Sequence, residues 1–177
     1  MPLYAAFLRG INVGGRRATA DQLRSAFDEL GFGDVATFRA SGNVIFDAGG
    51  KVDGAKIERG LKKSLGYEVA TFVRRAAEIK AIAKHDPFDG RHVKAAKGKP
   101  QVALLAAKPT AQARKKMLAL QSDDDLLAVR GRELYWLPSG GLMESAVGMS
   151  GITAVLGSNT VRTKGTIEQI ASKYFGA

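Results

Sequence analysis

The sequence predicts an α+β fold, a ferredoxin-like α/β plait that is architecturally duplicated into two packed halves. Three observations carry this expectation. Apolar-periodic segments in the first half read β-α-β-β-α-β, a polar basic stretch bounded by chain breakers follows at residues 89–100, and β-α-β-β-α order returns after it with different residues. The expected organisation is a first plait over residues 1–88, a linker over 89–100 and a second plait-like half over 101–177.

Each element has a local reason. Leu3 to Leu8 is an apolar run of strand length, and Thr19 followed by Gln22 has the spacing of a capping box, so a helix begins there. Leu23, Ala26, Phe27 and Leu30 then fall on one helical stripe, which Gly31 closes. Val35–Ala40 and Val44–Phe46 flank Ser41-Gly42-Asn43, a hairpin signal. Asp53 caps a second helix carrying Ile57, Leu61 and Leu65, Val69–Val73 ends the plait as a strand, and Ala76–Lys84 is helical.

In the second half Val102–Ala106 reads as a strand and Thr110–Leu120 as a helix. Leu126–Arg130 and Leu134–Leu137 form a hairpin turning at Gly131-Arg132, and helices follow around Gly148–Leu156 and Thr166–Phe175. The first-half strands are apolar on both faces, so the face away from the helices also needs cover, and the second half is the nearest candidate.

Composition narrows the function. The chain has 177 residues, enough to bury a core without staples, and its lack of cysteine excludes disulfides, thiolate metal sites and a cysteine nucleophile. Leu3–Leu8 is too short for a signal-peptide core and no run approaches a membrane span, which leads us to expect a cytoplasmic protein without a membrane partner. The net charge of +10 favours anionic partners, small molecule or nucleic acid. It is spread over the chain, with 14 basic and 10 acidic side chains in residues 1–88 and 13 and 7 in residues 89–177. A basic surface that only solubilises the protein fits that spread equally well.

The loop from Arg9 to Arg17 joins the first strand to the first helix, where free amides and the helix dipole favour an anion and where glycines permit close approach. Antiparallel pairing of strands one and three sets Arg9 beside Asn43. The candidate anion-binding residues are therefore Arg9, Asn12, Gly14, Gly15, Arg16, Arg17, Ser41 and Asn43. The bland alternative is that both segments are turns chosen for geometry alone.

Other motifs fail on inspection. Gly10 and Gly15 have P-loop spacing, but Arg16 and Arg17 stand where that motif needs Lys and a metal-binding hydroxyl. Arg39–Phe46 partly matches the longer signature of the RNA-recognition motif, yet Ser41 and Asn43 replace its stacking aromatics. Gly148–Ile152 misses a nucleophile elbow, Asp123–Asp125 reads as a solvated acidic loop, and Arg114–Lys116 as the wet face of a helix. His85 and His92 read as surface residues; no cofactor or metal is expected.

Tyr4 through Gly15, Leu23, Leu30-Gly31-Phe32 and Thr37 through Phe46 resemble the domain-of-unknown-function family 1697, with looser similarity at Asp86-Pro87-Phe88, Glu133-Leu134-Tyr135 and Thr160-Val161-Arg162. The resemblance implies a bacterial soluble protein of two plait-like halves and brings no activity with it. Three positions depart from the family pattern: Arg16 where Lys is common, Ala146 where Lys is usual, and Thr163-Lys164-Gly165 in place of an Asn-Trp-Asn stretch.

The leading functional expectation is a binding module that holds a phosphate-bearing small molecule or nucleic acid at the loops after strands one and two. A small enzyme acting on a phosphorylated or carboxylated substrate is the alternative, weakened because Asp21 and Asp47 are the nearest carboxylates to the motif. A structural protein that dimerises through its sheet is the third. Neither the ligand nor the oligomeric state follows from the sequence.

Overall fold

The computed structural model describes residues 3–142, 145 and 147–177. Contacts group them into two units, one running to Ile82 and including Ile170–Ala177, the other Ala83–Gln169. Each unit holds one four-stranded antiparallel sheet, and the two halves are similar.

In the first unit β1 (Leu3–Arg9), α1 (Ala20–Glu29), β2 (Gly33–Phe38), β3 (Asn43–Asp47), α2 (Gly54–Leu65) and β4 (Ala70–Arg75) form a plait with strand order β2-β3-β1-β4. Local signals set the helix starts: Thr19 and Gln22 form the reciprocal capping box and Asp53 accepts from the Ala55 amide. Tyr4, Ala6, Leu8, Val44 and Phe46 face Leu23, Phe27, Ile57 and Leu61 of the two helices. Aromatic rings fill the centre of that layer, with Phe46 5.1 Å from Phe27 and 4.6 Å from Phe32 between centroids. The opposite face is buried too, since Ala5, Phe7, Ile45 and Phe72 are at most 4% exposed. A nucleic acid therefore has no access to the central strands of this sheet.

The first strand of the hairpin lies two residues earlier than its composition suggests, while the second keeps its expected core and gains one residue at each end. Arg39 takes φ 60° and so leaves the strand, ending β2 at Phe38 instead of Ala40. After α3 (Ala76–Lys84), the stretch expected as a linker belongs to the second unit and carries α4 (Gly90–Ala95), because the Asp89 carboxylate accepts from the Arg91 amide at 2.7 Å and caps it.

The second unit continues with β5 (Gln101–Leu105), α5 (Ala111–Leu118), β6 (Leu126–Arg130), β7 (Glu133–Leu137), α6 (Gly148–Leu156), β8 (Asn159–Thr163) and the start of α7 (Lys164–Phe175). Its strand order, β6-β7-β5-β8, repeats the connectivity of the first sheet. β8 is the strand that composition hides, because Val161 is its one apolar residue; pairing along the whole of β5 makes it a strand.

The repetition extends to single positions. Ala5 is paired with Ile45 and Arg74 in the first sheet, and Val102 with Tyr135 and Arg162 in the second. In each, the arginine on the last strand donates from Nη1 to the carbonyl of the preceding valine at 3.0 Å. Arg74 is 1% exposed, and burial pushes the Arg162 guanidinium down to about 10.

Candidate anion-binding cleft

β1 leaves its sheet at Arg9 and enters a loop in which Gly10, Asn12, Gly14 and Gly15 all take positive φ. Asn12 holds this loop in shape. Its Nδ2 donates to the carbonyls of Ala40 at 2.9 Å and Ala18 at 3.3 Å, and its Oδ1 accepts from the Ala18 amide at 3.0 Å. The loop thereby touches the β2–β3 turn, at the sheet end where Phe7 pairs with Asn43. The Leu8 amide also donates to the Gly42 carbonyl at 2.8 Å. Asn43 is fully buried, and its Nδ2 donates to the Phe38 carbonyl at 2.8 Å and to Ser41 Oγ at 3.0 Å.

The eight candidate residues thus share one rim but not one task. Asn12, Ser41 and Asn43 spend side-chain hydrogen bonds on the protein's own turns. Gly14 and Gly15 form an exposed tip beside Val13, which is 56% exposed. Arg17 is exposed, and its carbonyl accepts from the Tyr67 hydroxyl at 3.0 Å. The start of α1 is closed by its own capping box and carries Asp21 in its first turn, so its dipole has little left to offer an anion.

The remaining two, Arg9 and Arg16, line a cleft of about 590 Å³. Its far wall is α2, which contributes Ala55, Glu58, Arg59 and Lys62 at helical i, i+3, i+4, i+7 spacing, and the floor is Glu68 to Ala70. Four cations and two carboxylates therefore border the space. Both carboxylates are engaged: Glu58 accepts from the Thr71 amide at 2.9 Å, and Lys62 at 2.9 Å holds Glu68 below the usual carboxylate range through hydrogen bonding and charge. Arg59 reaches Asp53 only at 3.9 Å. Arg16 lies over the Tyr67 ring, 5.3 Å from its centroid, which orients its guanidinium. Reasoning from the loop alone misses Arg59 and Lys62. The signal for them was plait topology, which sets the strand after α2 against β1 and so brings α2 beside the first loop.

The second unit has a smaller cavity of about 300 Å³ beside His92, Lys97, Asp123, Asp124 and Ser139. Among the described residues no group of three or more His, Cys, Asp or Glu is placed to hold a metal ion, and no helix is long and apolar enough to cross a membrane.

The family profile described as "Protein of unknown function (DUF1697)" matches residues 1–135. The chain belongs to the DUF1697 family. No curated protein matches the sequence. Among solved structures it is similar to the conserved bacterial protein SP0830 from Streptococcus pneumoniae, at 17% identity and a TM-score of 0.73, over 97% of each chain. At that identity the likeness concerns the fold, and it spans both halves.

Arg16, where the resemblance leads one to expect Lys, falls on the cleft wall. Within the Thr163-Lys164-Gly165 stretch, Lys164 has a structural role, since this buried ammonium contacts Asp86 at 2.7 Å, Glu168 at 2.6 Å and the Ala83 carbonyl at 2.9 Å. Ala146, where the resemblance leads one to expect Lys, lies outside the described residues.

Proposed function

We propose that this DUF1697 protein is a binding module whose first unit captures a phosphate-bearing ligand in the cleft between the β1–α1 loop and α2. The observation that carries the reading is the convergence of Arg9, Arg16, Arg59 and Lys62 on one space of about 590 Å³, within the size range of small-ligand sites. Guanidinium groups on two walls suit the bidentate geometry of phosphate oxygens. Binding is favoured over catalysis because Glu58 and Glu68 are tied to an amide and an ammonium, which leaves neither poised as a general base. Phosphorylated metabolites of a bacterial cytoplasm are the natural setting for such a ligand.

Titrating the isotope-labelled protein with inorganic pyrophosphate and following backbone amide resonances tests this reading. Saturable shifts confined to residues 9–17 and 54–71 are expected. Shifts scattered over every basic segment, or none, would reject the cleft.

A further inference from the structure

An aromatic pair stands at the edge strand of the first sheet. Phe38, the last residue of β2, meets Tyr174 of α7 edge to face with ring centroids 6.2 Å apart. Two cations lie over these rings. Arg39 lies 5.4 Å from the Phe38 centroid, and the Lys173 ammonium is 5.7 Å from Phe38 and 5.1 Å from Tyr174. Both rings keep part of their surface in solvent, whereas Phe7 and Phe72 on the same sheet are buried.

The backbone here is held, not relaxed. Arg39 has φ 60°, unusual for a long side chain, and the buried Asn43 amide fixes the Phe38 carbonyl just before it. The same turn is tied through Ala40 to Asn12, and hence to the loop bearing Arg9, Arg16 and Arg17. Half-buried aromatic rings with cations over them, on a turn tied to a basic loop, offer what unpaired bases and their phosphates require: aromatic surface for a base and positive charge beside it.

We propose that Phe38, Tyr174, Arg39 and Lys173 form a contact site for single-stranded nucleic acid, with a base against the aromatic pair. None of these four side chains lines the phosphate cleft, although the neighbouring loop carries two that do, Arg9 and Arg16.

The test uses the full chain and a single-stranded DNA of about 12 nucleotides, a length within the usual site sizes, carrying 2-aminopurine. Binding should quench the 2-aminopurine. Tyr174→Leu and Phe38→Leu should each weaken affinity about tenfold and abolish quenching, the loss expected for one stacked base. Lys173→Gln should flatten the salt dependence, and Arg59→Gln in the cleft should leave quenching intact. If Phe38→Leu fails to fold by circular dichroism, Tyr174→Leu and Lys173→Gln decide alone. Absence of binding by the natural chain, unaltered affinity in the Leu variants, binding lost only with Arg59→Gln, or equal competition by base-free polyphosphate would each overturn the proposal.

Discussion

Asn12 Nδ2 donates to the Ala40 carbonyl at 2.9 Å, joining a loop and a turn 28 residues apart in sequence. With its two bonds to Ala18, this amide gives the basic loop its fixed shape. Replacing Asn12 by Ala removes all three bonds and leaves a Cβ residue at φ 55°. At about 1 kcal/mol for each bond and about 1 for the strain, the cost should be about 3–4 kcal/mol. Asn12→Gly loses the same bonds without the strain and should fall about 1 kcal/mol short of that cost. Urea denaturation measures both, and equal losses would show that the backbone conformation is unstrained.

Gly42 makes a second point of contact. Its φ is +81°, and an added Cβ would stand 2.6 Å from Ile11 Cδ1 and 3.0 Å from Leu8 Cβ. Gly42→Ala should cost about 2–4 kcal/mol from strain and overpacking together. Gly14, with φ +55° and open space around it, should lose only about 1 kcal/mol on the same change. Thermal unfolding of the two variants side by side checks the contrast.

These two residues mark where the sequence was readable. Thr19 with Gln22, Asp53 and Thr110 announced helix starts because a cap is a local interaction within three residues. The meeting of loop and turn followed from strand order. What Asn12 and Asn43 do there did not follow, because an amide suited to a ligand is equally suited to a backbone carbonyl. β8 was hidden because its strand character comes from pairing with β5, and the aromatic pair of Phe38 and Tyr174 joins positions that no local pattern connects.

Asp125 provides a pH-dependent test in the second unit. Burial alone would raise its carboxyl, but hydrogen bonds from Ser145, Trp136 and Ser139 outweigh it and hold the group below its ordinary value. A carboxyl depressed in the folded state contributes stability that is complete above its unfolded value and lost as pH falls through the folded one. The natural protein should therefore lose stability as pH drops below about 4, while Asp125→Asn should be less stable at pH 7 and flatter with acid. Trp136 is the sole tryptophan and donates to Asp125 at 3.2 Å, so its fluorescence reports the transition directly. An identical acid profile in the variant would remove Asp125 from the account.

Lys164 works in the opposite direction. Burial would lower its ammonium, yet hydrogen bonds and charge from Asp86 and Glu168 prevail and raise it. Its contribution is complete below the unfolded value and lost as pH rises through the higher folded one. Lys164→Met should cost about 1–3 kcal/mol at pH 7, a discounted figure because both carboxylates are partly exposed, and the deficit should shrink as pH rises beyond the ordinary lysine value of about 10.4. Denaturation at neutral and high pH measures it, and a constant deficit would assign the loss to packing.

The central claim is that geometry, not diffuse charge, makes the cleft a phosphate site. Isothermal titration with pyrophosphate at fixed salt tests it most directly, comparing Arg16→Gln with Arg59→Gln in one chain against Lys115→Gln with Lys116→Gln on exposed α5, two charges lost in each. A charge-assisted hydrogen bond contributes about 1.5–3 kcal/mol, so the cleft pair should weaken binding at least about tenfold and the α5 pair less than about twofold. Equal weakening by the two double variants would contradict the claim and leave only a basic surface.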